Sequence, residues 1–152
     1  MSEKHPKERR QLRRLPAAEL NVSWRPRKGL FQRYRPAEGL DFTRNGLSLR
    51  VNPEDTLAPG DTVEMALELI MEAGTLNVDR VVAVVHNVRD QPGSSPLYGV
   101  GFDFEANRLM KSEQMVAQLG RIEGILERSE KLKLKIQPLS DIETLQESLD
   151  NS

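Results

Sequence analysis

Two short segments hold the residue types and spacings best suited to binding a phosphorylated ligand. The first is the basic run at residues 9–14, where arginines recur at a spacing of four, Arg9 with Arg13 and Arg10 with Arg14. A guanidinium presents five N–H donors in a plane, so it binds phosphate oxygens bidentately and can stack on a flat base. Two such arginines can close on one compact anion from two sides. The same run also suits a solvated basic tail, so the spacing alone leaves both interpretations open.

The second segment is residues 41–46, DFTRNG, which has the pattern D-x-[ST]-x-x-G. In a regular strand Asp41 and Thr43 point to the same face. Asp41 can accept from the N–H groups of guanine, Thr43 can donate to a phosphate oxygen, and Gly46 permits close backbone approach. Asn45 and Gly46 together predict a hairpin turn, because both residues tolerate positive φ. The competing interpretation is an ordinary turn whose side chains bond to local backbone.

Charge and composition narrow the class of protein. Residues 1–35 hold 11 Lys or Arg and 3 Asp or Glu, a balance of +8, whereas the remaining residues hold 11 and 20, a balance of −9. A basic head on an acidic body suggests that the head meets an anion. The chain has no cysteine, which excludes disulfides and zinc–thiolate sites. No apolar run approaches the roughly 18 residues of a membrane helix, so we expect a soluble, cytoplasmic protein that does not bind membranes.

Nothing in the sequence supports catalysis. The two histidines, His5 and His86, are far apart and lack metal-ligand spacing. His86 lies in a Val-rich stretch, where a packed or surface histidine is commoner than a catalytic one. The sequence contains no Walker loop, no G-x-G-x-x-G, no nucleophile elbow and no H-E-x-x-H. We therefore expect a protein that is not an enzyme and has no metal or cofactor.

Period-two alternation of apolar residues predicts a mainly β fold. Six strand candidates follow one another at residues 20–24, 31–42, 47–51, 63–69, 78–88 and 97–104. Short turns and the lack of helices between them predict a six-stranded antiparallel barrel, which removes exposed strand edges. Gly99 and Gly101 in the last strand fit tight curvature or close backbone approach.

The barrel is predicted to occupy residues 15–104, after a flexible arginine-rich arm at residues 1–14. Beyond it, apolar residues at helical spacing predict a C-terminal amphipathic α-helix at 105–129 that caps one mouth of the barrel. Residues 130–152 are predicted to form an extension or tail. A helical seam between two copies remains possible, so monomer and homodimer both stay open.

The order of these features resembles the PilZ domain family. An RxxxR pair is followed by Leu15-Pro16, then a strand, then D-x-[ST]-x-x-G at 27 residues after Arg14, and finally the strand YGVGFDF at residues 98–104. The resemblance covers about residues 9–104. It implies a PilZ-type six-stranded barrel that binds the bacterial second messenger cyclic di-GMP.

The resemblance assigns roles to the arginines. The family's second arginine stands just before a hydrophobic-Pro pair, so Arg10 and Arg14 are the matching positions. It implies that this pair holds phosphate and guanine just before the first strand. Arg9 and Arg13 are neighbours that would assist.

The resemblance also assigns roles to the turn, which in the family holds a guanine on the barrel surface. Asp41 and Gly46 match the motif directly. Thr43 stands where serine is usual and keeps the hydroxyl, so we expect binding to survive. Asn45 stands where a second glycine is frequent, and Asn is the next best residue for a left-handed conformation.

Three functional hypotheses follow. In the first, the arm orders on cyclic di-GMP and a downstream effector protein reads the change. In the second, the chain is a protein–protein adaptor that acts through the helix at 105–129 and the tail without nucleotide. In the third, the basic head binds nucleic acid polymers non-specifically, which the acidic body argues against.

Overall fold

The computed structural model describes residues 18–27 and 32–130. Its strands are β1 (Glu19–Pro26), β2 (Arg35–Thr43), β3 (Gly46–Arg50), β4 (Thr62–Met71), β5 (Gly74–Arg89) and β6 (Leu97–Phe102). Helix α1 (Arg108–Lys111) follows, and residues 113–130 form a second helical segment, α2. The predicted arm at 1–14 lies outside the described residues, as does the tail beyond residue 130.

The six strands close into one antiparallel barrel in the order β1-β2-β3-β6-β5-β4. Closure comes from β1, which pairs with β2 on one side and with β4 on the other. The predicted six-stranded barrel is therefore confirmed. Strand β5 begins earlier than predicted, at Gly74, because its first residues pair with the end of β4 in a long hairpin.

Alternate residues of the strands fill the interior of the barrel. In β4 the buried residues are Val63, Met65, Leu67 and Leu69, and in β1 they include Trp24, which is 1% exposed. The same core cluster contains Leu119 and Ile122 of α2. Helix α2 therefore packs on the barrel as the amphipathic pattern predicted, although Val116, which that pattern assigns to the apolar face, is 48% exposed.

The C-terminal helix differs from the prediction of one helix at 105–129. Asn107 caps α1, and its side chain accepts a hydrogen bond of 2.8 Å from the Met110 N–H. Ser112 has extended backbone, donates its hydroxyl to the Leu109 carbonyl and accepts from the Met115 N–H at 3.1 Å. Ser112 therefore ends α1 and serves as the N-cap of α2. Within residues 18–27 and 32–130, no helix combines the length and apolar character needed to cross a bilayer.

The β2–β3 hairpin forms, but not with the predicted left-handed turn. Thr43 pairs with Gly46, so the two loop residues are Arg44 and Asn45. Among the described residues, positive φ occurs outside glycine at Asp41 and Arg80 alone, and Gly46 is not one of the glycines that adopt it. The prediction of positive φ at Asn45 and Gly46 is therefore wrong.

Glycine is required at position 46 by the neighbouring strand. Gly46 pairs with Gly101 of β6. A Cβ at Gly46 would overlap the carbonyl oxygen of Val100 and would lie 3.0 Å from the Gly101 Cα. Both obstacles are backbone atoms, which cannot rotate away as a side chain can.

We expect Gly46→Ala to lower the free energy of unfolding by roughly 1–3 kcal/mol, because β3 and β6 must separate to admit the methyl group. Gly120→Ala in α2 is the matched control. A Cβ at Gly120 would have its nearest neighbour at 3.9 Å, so alanine there should be neutral or stabilise by up to about 1 kcal/mol. Urea unfolding measures both variants. Equal stability of Gly46→Ala and the unsubstituted protein would contradict the steric explanation.

Candidate functional site

Asp41 lies in a β-bulge near the end of β2. The pairing of β2 with β3 shifts between Leu40 and Thr43, and Asp41 has a φ of 52°. That left-handed conformation is uncommon outside glycine, although Asp adopts it more readily than most residues. Asp41 and Thr43 are both exposed. The bulge interrupts the alternation from which we predicted that they share a face.

Thr43 makes the local hydrogen bonds of a turn. Its Oγ1 accepts from the Asn45 N–H at 3.2 Å and donates to the Gly46 carbonyl at 3.3 Å. The interpretation of an ordinary turn therefore describes Thr43 in this structure. Donation to a phosphate would require the hydroxyl to exchange the Gly46 carbonyl for the ligand.

Arg44, in the middle of the turn, is bound to helix α2. The Arg44 N–H donates to Glu123 Oε2 at 2.9 Å, and Arg44 Nε donates to Oε1 at 2.7 Å. Glu123 is 15% exposed and Arg44 is 61% exposed. Sequence reasoning missed this pair because the two residues are 79 positions apart. The signal available in the sequence was Glu123 itself, an acidic residue that interrupts the apolar face of the predicted helix.

These contacts also fix the charge of both groups. The hydrogen bond from the Arg44 backbone, followed by the bond from its guanidinium, holds the pKa of Glu123 below its usual value. The hydrogen bond to Glu123 raises the pKa of Arg44. The pair is therefore ionised at neutral pH, and the turn is held to α2 by a charge-assisted contact.

A cleft of about 450 Å³ lies between this end of the barrel and α2. Ala18, just before β1, lines it together with Asp41. Helix α2 contributes three carboxylates to the wall, those of Glu123, Glu127 and Glu130. The cleft is therefore strongly acidic, and Glu123 is the wall residue whose charge Arg44 offsets.

The chain enters the described structure at this same cleft. The Ala18 N–H donates to Ser129 Oγ at 2.9 Å, and Ser129 is only 5% exposed. This bond fixes the start of β1 against α2. Of the predicted site residues, the structure places Asp41, Thr43 and Gly46 on one hairpin.

The four predicted arginines, Arg9, Arg10, Arg13 and Arg14, lie outside the described residues. Arg14 precedes Ala18, the first described residue and part of the cleft wall, by four positions in the sequence.

Asp41 offers the cleft an exposed carboxylate that can accept hydrogen bonds from the donors of a ligand. No family model and no curated protein matches this chain. The function is therefore inferred from the geometry and the motif residues.

We expect Glu123→Gln to flatten the acid dependence of stability. A glutamate whose pKa is lowered by folding stabilises the folded state above its unfolded pKa of about 4.3, and that contribution is lost as the pH falls through the folded pKa. The thermal midpoint of the unsubstituted protein should therefore fall more steeply below about pH 4.3 than that of Glu123→Gln. Glu72→Gln, at an exposed position in the β4–β5 hairpin, is the control. Parallel pH profiles for Glu123→Gln and the unsubstituted protein would argue against the Arg44 contact.

Proposed function

We propose that this protein is a cytoplasmic receptor of the PilZ type that binds cyclic di-GMP and is not an enzyme. The observation that carries the proposal is that Ala18, which follows the arginine-rich arm in the sequence, and Asp41 line the same cleft. The RxxxR motif and the D-x-[ST]-x-x-G motif are 27 residues apart from Arg14 to Asp41. The fold thus places Ala18, four residues after Arg14 in the sequence, at the same cleft as Asp41.

Electrostatics makes the arm necessary for binding. Cyclic di-GMP carries two phosphodiester charges, and the cleft presents the carboxylates of Asp41, Glu123, Glu127 and Glu130. Arg44 offsets one of them through its pair with Glu123. An anion would be repelled from this wall unless further cations accompany it. The arm's four arginines at positions 9, 10, 13 and 14 supply those charges.

The roles divide by chemistry. Arg10 and Arg14 bind the phosphate oxygens and stack on guanine, with Arg9 and Arg13 as additional donors. Asp41 accepts from the N–H groups on the guanine edge, which matches the acceptor-only character of a carboxylate. Such a bond between a charged acceptor and a buried donor contributes about 1.5–3 kcal/mol.

Two other residues of the turn act through backbone and hydroxyl groups. Thr43 can donate to a phosphate oxygen by rotating its hydroxyl away from the Gly46 carbonyl, which is 3.3 Å away. Gly46 leaves the adjacent backbone uncovered. The close approach of β6 already requires glycine at this position, because a Cβ would overlap the Val100 carbonyl oxygen. Gly46 is therefore weaker support for ligand binding than Asp41.

The switch in this proposal is ordering of the arm. An arm that closes over the nucleotide gains charge-assisted bonds and loses conformational entropy, so its arrangement depends on ligand. A downstream effector protein then reads the changed surface. Ala18, which follows the arm in the sequence, donates a hydrogen bond to Ser129 of α2. In this proposal, ordering of the arm therefore takes place next to a residue that is attached to α2.

A second candidate function is a protein–protein adaptor that acts through the C-terminal helices without nucleotide. The specific observation in its favour is that the exposed large hydrophobic residues of the described chain, Leu109 at 42% and Val116 at 48%, both lie in this region. Isolated exposed apolar residues are common on protein surfaces, so this support is weaker. Two results together would favour the adaptor. The unsubstituted protein would not bind cyclic di-GMP, and Val116→Asp would lose self-association or partner binding.

Calorimetric titration of cyclic di-GMP tests the receptor. We expect Arg14→Ala and Asp41→Ala each to weaken binding at least about ten-fold, because each removes a charge-assisted contact. Arg121→Ala, an exposed arginine of α2 outside the cleft, is the matched control and should bind as the unsubstituted protein does.

Each part of the proposal has an outcome that overturns it. No heat from the unsubstituted protein at tens of micromolar would exclude the ligand. Unchanged affinity in Arg14→Ala would exclude the arginine role. Competition by linear RNA or DNA as effective as the cyclic dinucleotide would instead support non-specific nucleic-acid binding.

A further inference from the structure

One stretch of the sheet is paired on a single side. Strand β5 pairs with β4 from the Met71–Gly74 pair that closes their hairpin, but its pairing with β6 begins only at Ala83. Among the described residues, residues 74–80 of β5 therefore have β4 on one side and no strand on the other. We call this stretch the β5 edge.

The cover on the open side of β5 ends at Val82. The Val82 carbonyl accepts from the Asp103 N–H at 2.8 Å, and the Val82 N–H donates to Met110 Sδ at 3.3 Å. The chain that leaves β6 and enters α1 thus takes both backbone groups of Val82. Within residues 18–27 and 32–130, the backbone hydrogen bonds of turns and loops do not involve the β5 edge.

Two residues of the β5 edge direct their backbone groups to the open side. In an antiparallel ladder, hydrogen-bonded and non-hydrogen-bonded pairs alternate. Counting from the pair of Met71 with Gly74 that closes the two-residue loop, Thr75 and Asn77 fall in the pairs that are not hydrogen-bonded to β4. Their N–H and C=O groups therefore point away from β4, and both residues are exposed.

The β5 edge has few of the features that usually protect a strand edge. Residues 74–80 contain no lysine and no proline, the two residue types that most often block pairing there. The protective feature present is the bulge near Arg80, which has a φ of 59°. A second strand can therefore pair with residues 74–79, and the bulge marks where that pairing ends.

The β5 edge is complementary to a second copy of itself. An antiparallel pairing centred on Asn77 places Asn77 opposite its symmetry mate and Thr75 opposite Asp79 of the second copy. These are polar side chains that can hydrogen-bond across strands. On the inner face, Leu76 lies opposite Val78 of the second copy, where it can bury more of a side chain that the barrel covers only in part.

The charges at the two ends of this pairing also match. Glu72 lies in the exposed loop at the tip of the hairpin, and Arg80 lies exposed at the far end of the β5 edge. An antiparallel pairing brings the tip of each copy to the far end of the edge of the other. Glu72 therefore approaches Arg80 of the second copy, and the two-fold symmetry repeats this contact.

We propose that the β5 edge pairs antiparallel with the β5 edge of a second copy and joins two barrels into one continuous sheet. The contact is smaller than a standard interface, so we expect a weak homodimer with a dissociation constant on the order of 10–100 μM. The inference is independent of the proposed function, because it uses no residue of the proposed ligand site.

Sedimentation velocity from about 5 to about 500 μM tests the dimer. The sedimentation coefficient of the unsubstituted protein should rise with concentration. Asn77→Pro should stay monomeric and folded, because the N–H that it removes points to the open side, where a strand tolerates proline. Asn77→Lys places like charges opposite each other at the two-fold axis and should weaken the dimer at least about ten-fold. Ser94→Lys, which adds the same charge at an exposed position before β6, is the control and should not change the dimer.

Amide hydrogen exchange gives a second readout. The amides of Thr75 and Asn77 should gain protection as the concentration rises. The amides of Leu76 and Val78, which point to β4, should be protected at every concentration. The fluorescence of Trp24, the only tryptophan, reports whether each variant keeps its folded core.

Four outcomes would overturn the proposal. The first is a monomer at every concentration, and the second is a dimer that Asn77→Pro and Asn77→Lys leave intact. Loss of the dimer in Val116→Asp, without concentration-dependent protection of Thr75 and Asn77, would place the contact on α2 instead. Loss of the dimer in Leu134→Pro would identify the alternating segment at residues 131–137, which lies outside the described residues, as the strand that joins the β5 edge.

Discussion

The contact between Arg44 and Glu123 joins the β2–β3 turn to helix α2, and the geometry of the candidate site depends on it. The helix buries Leu119 and Ile122 on the barrel, but apolar packing is non-directional and does not by itself fix which carboxylates face Asp41. The two hydrogen bonds to Glu123, at 2.9 and 2.7 Å, supply that direction. With the hydrogen bond from Ala18 to Ser129, they attach α2 to the β2–β3 turn and to the residue just before β1.

The same contact determines the electrostatics around the turn. Arg44 is paired with Glu123 and therefore offsets one of the carboxylates of the cleft wall. The side of the turn that faces α2 still carries the carboxylates of Glu127 and Glu130. A phosphodiester ligand at this cleft would therefore need further cations beside it.

The barrel could be predicted from the sequence because apolar residues recur every two positions in most strands, as the burial of alternate residues in β4 illustrates, and this pattern is local. Features that depend on how strands align could not be predicted. The bulge at Asp41 and the bulge beside His86 arise from register shifts, which leave no periodic signal. The break at Ser112 was visible as a gap in the apolar stripe, but its capping hydrogen bond to Met115 required coordinates. The contact between Arg44 and Glu123 could not be predicted because the two residues are 79 positions apart in the sequence.

The three motif residues in the turn do not support ligand binding equally. The fold itself accounts for Gly46, since a Cβ there would overlap the Val100 carbonyl, and for Thr43, whose hydroxyl closes the turn. Asp41 is different, because it holds a φ of 52°, which costs about 1 kcal/mol. Among the described residues no hydrogen bond uses its carboxylate, although Asp41 lines the cleft beside the start of β1. A strained, exposed acceptor with no hydrogen-bond partner within residues 18–27 and 32–130 is the feature of this turn that a ligand explains best.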